Sequence, residues 1–421
     1  MTMEKKTLVF ESVNLELPES TRPMDGGTMQ DAADPRHILV EAPPPRRQGE
    51  LIGKLAQSRT YVRQEEEIDA LAAAMDKAVT LHAVGVVNDR DAPVGIILRR
   101  ELFEHLGKRY GRELYKRKPL SLVMKPARLF RDDLNIFVVA GMLTEELRRL
   151  DDTFCLLVDA EGRYSGVFST RNLLIYLSET TGRDIALARR LQAAIVRESD
   201  HFGDTRCSIL CYSKMAKEVG GDFYLAKRLT SDRILACVCD VSGKGIAASL
   251  ITAVLGGVFD TYTGGRGLGP FLQGLNRYIF ETFRLEYFVT GIFLELDCRT
   301  GDAVICDMGH SYFLVAQGRN LYHLGKKSSN PPLGVVPDLA PELSFYRFPP
   351  GGRAVLFTDG IVEQTDRSGS EFSEKRLWSF LKGNADEDLL VIRDRLCTAL
   401  EDFRGEEPQN DDLTFLLLKF N

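Results

Sequence analysis

The chain is short of the features that would fix a function at a glance. It has one tryptophan, six histidines and only eight cysteines in 421 residues. The cysteines form no disulfide framework. Cys207 and Cys211, or Cys237 and Cys239, have neither zinc-ribbon nor redox CxxC spacing, so all eight read as small buried hydrophobes in a reducing compartment. No window approaches the roughly 18 uninterrupted apolar residues of a membrane-spanning helix. The first twenty residues have no apolar stretch of signal-peptide length, because Glu11, Asn14 and Glu16 interrupt it. There is no surplus of positive charge either: 54 Lys+Arg against 60 Asp+Glu leave a net charge of −6. A nucleic-acid binder would normally need a basic domain or stripe. Together these absences predict a cytoplasmic protein, with no membrane insertion and no nucleic-acid partner. Hydrophobic content of 44% and charged content of 27% are ordinary globular values, and the length predicts about two or three domains.

Residues 1–48 mix charge, Gly26-Gly27 and the run Pro43-Pro44-Pro45-Arg46-Arg47, and are expected to form a flexible tail with short strands at 7–10 and 38–41. Residues 49–180 carry an internal repeat. An apolar strand, a polar turn and a second apolar strand (Val86–Ile97) lead into a helix at Glu101–Leu106. The same order returns at Leu156–Phe168, leading into a helix at Asn172–Leu177. Val87 and Val158, Gly95 and Gly166, Leu102 and Leu173 keep one register, and a helical stretch precedes each copy, at Glu65–Lys77 and about Ile136–Leu150. Two helix–strand–strand–helix units resemble a CBS-domain pair, and the intervening Tyr110–Tyr115 resembles a linker of bacterial CBS-containing signalling proteins. The resemblance implies an adenine-nucleotide sensor or a dimerising scaffold. CBS units that bind nucleotide usually carry Ser/Thr and, three residues on, Asp. Here those positions are Leu98 and Glu101, then Ser169 and Asn172, so one copy lacks the hydroxyl and the other the carboxylate. These departures weigh against the nucleotide.

A linker helix is expected within 181–200. From Arg183 to Glu198 there is no glycine or proline, and Leu187, Leu191, Ala194 and Ile195 make one face apolar. That face either packs on its own domain or pairs with a second copy as a connector that carries a signal.

From 201 to 421 short apolar runs bounded by Gly, Asp or Asn predict strands at Arg233–Val241, Thr290–Asp297, Ala303–Met308, Tyr312–Ala316, Ala354–Thr358 and Leu413–Phe420. Helices are expected over Gly245–Phe259, continuing through Pro270–Phe283, and over Ser373–Leu381 and Asp386–Phe403. The predicted class is α/β of the α+β kind, with layered sheets flanked by helices. Four acids sit where a strand meets a turn: Asp222 in EVGGDFY, Asp240 in DVSGKG, Asp359 in TDG and Asp411 in NDDLT. Each alone is an ordinary turn residue. Carboxylates without His or Cys partners suit hard cations such as Mg²⁺ or Mn²⁺, and a cluster of them would be costly without cations.

In this order the motifs resemble the SpoIIE-type branch of the PPM family of metal-dependent serine/threonine protein phosphatases. The resemblance spans about 183–421. Besides the four acidic motifs it includes Ala188–Gln192, the Gly309-His310 turn and Pro332–Val335. It implies a β-sandwich flanked by helices that holds two Mn²⁺ or Mg²⁺ ions. Asp240 would bridge both, with the Val241 carbonyl on one. Asp359 and Asp411 would bind the second ion, and Asp222 would hold metal-bound waters or a looser site. Asp240, Asp359 and Asp411 would thus carry catalysis, in which a water shared by the ions attacks phosphorus in line. Gly243 and His310 are placed at the substrate rim, and Lys244 is given no catalytic role. Leu225 and Asp307-Met308 depart from the family pattern at places that touch substrate. The implied partners are phosphoserine or phosphothreonine proteins, often anti-sigma-factor antagonists of partner-switching pathways. A homodimer is expected, with Leu187, Leu191 and Ile195 as its regulatory linker. Two other readings compete: a catalytically silent PPM-fold binding protein, and a diguanylate cyclase suggested by Gly220–Phe223 alone.

Overall fold

The computed structural model describes residues 38–44, 49–149, 152–318, 320–324 and 329–421. The expected strand at 7–10 and most of the expected tail lie outside the described residues. Two compact units meet in sequence between Tyr176 and Leu177.

The first unit begins with β1 (Val40–Glu41), the part of the expected 38–41 strand that forms. There follow β2 (Thr60–Arg63), α1 (Ile68–Lys77), β3 (Ala83–Val87), β4 (Pro93–Leu98), α2 (Arg99–Gly107) and α3 (Gly111–Tyr115). The second copy comprises β5 (Leu129–Arg131), α4 (Ile136–Met142), α5 (Thr144–Arg149), β6 (Phe154–Val158), β7 (Tyr164–Ser169) and α6 (Thr170–Ile195). In each copy the first strand pairs parallel to the second and the second antiparallel to the third. The repeat read from sequence is therefore a repeat of structure. Its turns match as well: Asn88 Oδ1 accepts from the Arg90 and Ala92 amides, and Asp159 Oδ1 accepts from those of Glu161 and Arg163. The expected helix at 136–150 is split into α4 and α5 around Leu143.

Helix α6 changes the expected boundaries. One uninterrupted helix of 26 residues joins the predicted Asn172–Leu177 and linker segments. It stops at Ile195, short of Glu198, because Ser199–Gly203 form a strand, β8.

The second unit continues with β9 (Cys207–Lys214), β10 (Asp222–Arg228), β11 (Arg233–Val241), α7 (Ile246–Asp260), α8 (Leu268–Phe283), β12 (Val289–Asp297), β13 (Asp302–Met308), β14 (Phe313–Gln317), β15 (Asn320–His323), β16 (Ser344–Arg347), β17 (Arg353–Phe357), α9 (Ser373–Gly383), α10 (Leu389–Arg404) and β18 (Leu413–Phe420). The expected continuation of one helix through 245–283 breaks at the loop 261–267, where Gly264 and Gly267 take φ of +78°. The strands form two antiparallel sheets, β10-β11-β12-β13-β16 and β15-β14-β17-β18-β9-β8. Alternation along β17 and β18 sorts side chains by face. Val355, Phe357, Phe415 and Leu417 meet Leu377, Leu381, Ile392 and Leu396 of α9 and α10. Leu356, Leu416 and Leu418 join the core shared with the other sheet, with Phe223, Val238 and Phe293. Ile251 and Leu255 of α7 and Leu272 and Leu275 of α8 close that core, where Phe259 stacks on Phe223 and Phe293.

Candidate active site

The four acids singled out from sequence are brought to one end of both sheets. Asp222 opens β10 and lies directly opposite Asp240 near the end of β11. Asp359 follows β17, and Asp411 precedes β18, its hydrogen-bonded neighbour. Thr358, fully buried and directly before Asp359 in sequence, joins the two sheet ends: its hydroxyl donates to Asp222 Oδ2 at 2.8 Å and its oxygen accepts from the Thr414 amide.

The electrostatics follow from this convergence. Burial, then the charges of Asp359, Asp411 and Asp412, push Asp240 up to about 7, with Lys244 opposing them. Burial and the Asp240 and Asp412 charges hold Asp222 well above the usual carboxylate range, against hydrogen bonds from Thr414 and Thr358. Asp359 is raised by burial and by Asp411, and Glu363, which the sequence did not single out, by burial and by Asp359. Carboxylates that raise one another are short of positive charge.

Other residues, given no role of their own from sequence, build the frame. Asp412 is one: its Oδ2 accepts from the Gly221 amide at 2.7 Å and its Oδ1 from that of Ala216 at 2.8 Å. It clamps the loop before Asp222, while its neighbour Asp411 points to the site; the doubled acid of NDDLT was the available signal. Gly221 is required there because a Cβ would come 2.8 Å from the Val241 carbonyl. Gln192 of α6 is the second: its side chain takes both backbone groups of Gly220, donating to the carbonyl at 2.8 Å and accepting from the amide at 3.1 Å, and its Nε2 lies 3.1 Å from Thr252 Oγ1. A buried glutamine in the mostly exposed second half of the helix marks a specific contact, but exposure is not visible in sequence.

One expectation needs correction. His310 is not on the rim but buried, 6% exposed. Its Nε2 faces the Phe357 carbonyl at 2.8 Å, an acceptor only, so Nε2 carries the proton and Nδ1 accepts from Thr290 Oγ1 at 2.9 Å. Burial pushes this imidazole down to about 4. It ties the strand before Asp359 to Thr290, the residue paired with Asp240. Lys244, given no role from sequence, makes an ion pair with Asp411 at 2.6 Å. Gly243 is exposed, with φ +90° and Tyr287 beside it.

Among the described residues no three His, Cys, Asp or Glu side chains form a ready-made metal cage. The donor set nevertheless fits a hard divalent ion: carboxylate oxygens from both sheets, mutually repelling, with an ammonium on Asp411 where a cation is needed. Asp240, Asp359 and Asp411 are the residues that would hold it, with Asp222 beneath.

In the first unit, a cleft of about 1320 Å³ is lined by both copies of the repeat, including Leu98, Glu101, Lys125, Arg128, Arg171 and Asn172. The positions expected to hold ribose and phosphate already have protein partners. Glu101 pairs with Lys125 at 2.5 Å, and Asn172 Oδ1 accepts from Ser169 Oγ and from Gln57. Three of the four positions, Glu101, Ser169 and Asn172, are thus engaged within the protein. Leu187, Leu191 and Ile195 are 48%, 58% and 37% exposed, so the apolar face of α6 is left uncovered in the single chain.

Residues 230–421 match the family described as Stage II sporulation protein E (SpoIIE). The chain is 26% identical over 244 residues to the phosphoserine phosphatase RsbP of Bacillus subtilis (strain 168), a match covering 56% of this chain and 58% of that protein. It is 23% identical over 237 residues to protein IcfG of Synechocystis sp. (strain ATCC 27184 / PCC 6803 / Kazusa), covering 49% and 37%. The chain thus spans little more than half the length of the first relative and less of the second. Among solved structures, the SiaA-PP2C domain of Pseudomonas aeruginosa is matched over 58% of this chain and 99% of that one, with 22% identity and a TM-score of 0.50. The C-terminal part of the chain is thus similar to SpoIIE, and the chain, of mixed α/β structure, shares the fold of the SiaA-PP2C domain.

Proposed function

We propose that the protein is a metal-dependent phosphatase of phosphoserine or phosphothreonine proteins. The observation that carries this reading is the convergence of Asp222, Asp240, Asp359 and Asp411 from the ends of two sheets, in the type of domain that RsbP's name associates with phosphoserine hydrolysis. Two Mn²⁺ or Mg²⁺ ions would, when bound, neutralise the phosphoryl oxygens and make a water nucleophilic near neutral pH. The chain's own contribution is to hold the carboxylates together and oriented. Thr358 fixes Asp222, Asp412 fixes the loop before it, and neutral His310 braces β12 against β17. The exposed Gly243 turn is where substrate would enter. The cyclase reading is dropped, since Gly220–Phe223 are part of this carboxylate site.

The decisive assay is hydrolysis of p-nitrophenyl phosphate with Mn²⁺, with EDTA, and by Asp240→Asn. Chelation and the substitution should each lower the rate by at least about two orders of magnitude. Activity that survives either one overturns the metal-dependent reading, and an inactive wild-type protein supports the silent-binder alternative.

The regulatory half of the proposal assigns residues 38–176 to a CBS-like module and α6 to the connection. Homodimerisation through Leu187, Leu191 and Ile195 would cover the exposed face, and Gln192 on the same helix holds Gly220, two residues before Asp222. A phosphorylated partner-switching protein is the substrate class that fits the RsbP likeness. In the full chain, Leu187→Asp with Leu191→Asp should convert a dimer to a monomer in light scattering and change the rate; unaltered mass and rate would refute this half.

A further inference from the structure

Lys244 is the side chain whose place in the site is unexplained by the reading above. It stands between Gly243 and Gly245, both with positive φ (+90° and +84°), at the turn that opens α7. Its side chain is 52% exposed, yet its ammonium is turned onto the acids. The contact is specific. Asp411 Oδ1 accepts from the Asp412 amide at 2.9 Å, while Oδ2 is held by Lys244 Nζ at 2.6 Å. Both oxygens of this carboxylate therefore have a donor, and only one of the two donors can leave, because the amide is fixed in the backbone that enters β18. The same ammonium opposes the upward shifts of Asp240, Asp359 and Glu363, so it acts on the cluster as a whole.

We propose that Lys244 is a tethered counter-cation: it neutralises Asp411 while no metal is bound and surrenders Oδ2 when a divalent ion enters. This inference rests on the metal site proposed above. It makes loading at Asp411 and Asp359 a competition between the ion and the chain's own ammonium. The glycines on either side give the turn the freedom to swing, and the half-exposed stem lets the displaced head reach water without a burial penalty. The ion pair also supplies positive charge to the cluster while no divalent ion is bound.

Calorimetric titration of Mn²⁺ into the full chain tests this. Lys244→Gln should bind Mn²⁺ about two- to fivefold more tightly, the range a half-exposed ion pair supplies when it no longer competes. Lys244→Arg, which keeps the charge, should stay within about twofold of wild type. Affinity unchanged or weakened in Lys244→Gln overturns the proposal. Asp240→Asn separates the two premises: if wild type and Asp240→Asn both fail to bind Mn²⁺, the metal site itself is wrong, whereas a wild type that binds and an Asp240→Asn that does not leave the Lys244 result interpretable. A second readout is taken on the wild-type protein itself. In protein reductively methylated with ¹³C, the Lys244 resonance, assigned by its absence in Lys244→Gln, should shift on adding Mg²⁺. A resonance that stays put while Mg²⁺ binds also overturns the proposal.

Discussion

Asp240 shows how a single side chain links charge, stability and function. Its carboxyl is pushed up to about 7 in the folded chain, far above the roughly 3.9 of an unfolded aspartate. A folded-state value that is raised means the protonated form is the one folding favours. Without metal, this group's stabilisation is present below about pH 4 and is lost as pH rises through about 7. Asp240→Asn, measured in EDTA, should therefore melt higher than wild type by roughly 3–8 °C at pH 8 and show little difference at pH 4. Equal melting at both pH values would contradict the account. His310 is the opposite case, a base held down at about 4, so its contribution is whole above about pH 6.5 and fades as pH falls toward 4. Because it is buried and neutral with both nitrogens engaged, His310→Ala should cost about 2–4 kcal/mol in denaturant melts, by orphaning the Phe357 carbonyl and the Thr290 hydroxyl. It should leave no missing inflection in the pH–rate profile.

Among the elements, the strands that end in acids were the easiest to read. Arg233–Val241 and Leu413–Phe420 form where the apolar runs predict, because each is buried on both faces and bounded by turn residues. β9 was harder. Cys-Ser-Ile-Leu-Cys-Tyr-Ser-Lys looks half polar in sequence, and its strand character comes from pairing with β18, a long-range contact that no local pattern reports. The site was legible to the extent that its chemistry is carboxylate in turns; its supports were not, since Gln192, Thr358 and Asp412 act through burial and backbone contacts made across the chain. α6 is the element where this matters most. Gln192 is its polar link to the Gly220 loop, so Gln192→Ala should cost about 1–3 kcal/mol, the expected effect of leaving buried backbone groups unpaired. It should also weaken Mn²⁺ binding in calorimetry, whereas substitution at exposed Arg183 or Arg190 of the same helix should leave both within error.

At the scale of the whole molecule, the net charge of −6 describes the chain alone. Two divalent ions would bring four positive charges to one end of the second unit. Mn²⁺ at about a hundred times its dissociation constant should stabilise the folded protein by about 2.7 kcal/mol per site, and EDTA should reverse the shift in melting temperature. The gain should be larger at pH 8 than at pH 5, since protons and metal compete for the same carboxylates. The sheet that carries Asp359 and Asp411 has a further consequence, for folding. β9 and β18 lie side by side at its centre, yet the hydrogen-bonded hydroxyls of Ser213 and Thr414 are 201 positions apart along the chain. Closing so long a loop carries an entropic penalty before any contact rewards it, and domains dominated by such distant pairings fold slowly. The step that zips β18 into place is also the step that brings Asp411 to Asp240 and Asp412 to Gly221. Partly folded chains, with β18 still unpaired, would thus lack the acidic cluster, so the kinetics with which Mn²⁺ binding appears during refolding should follow completion of the sheet.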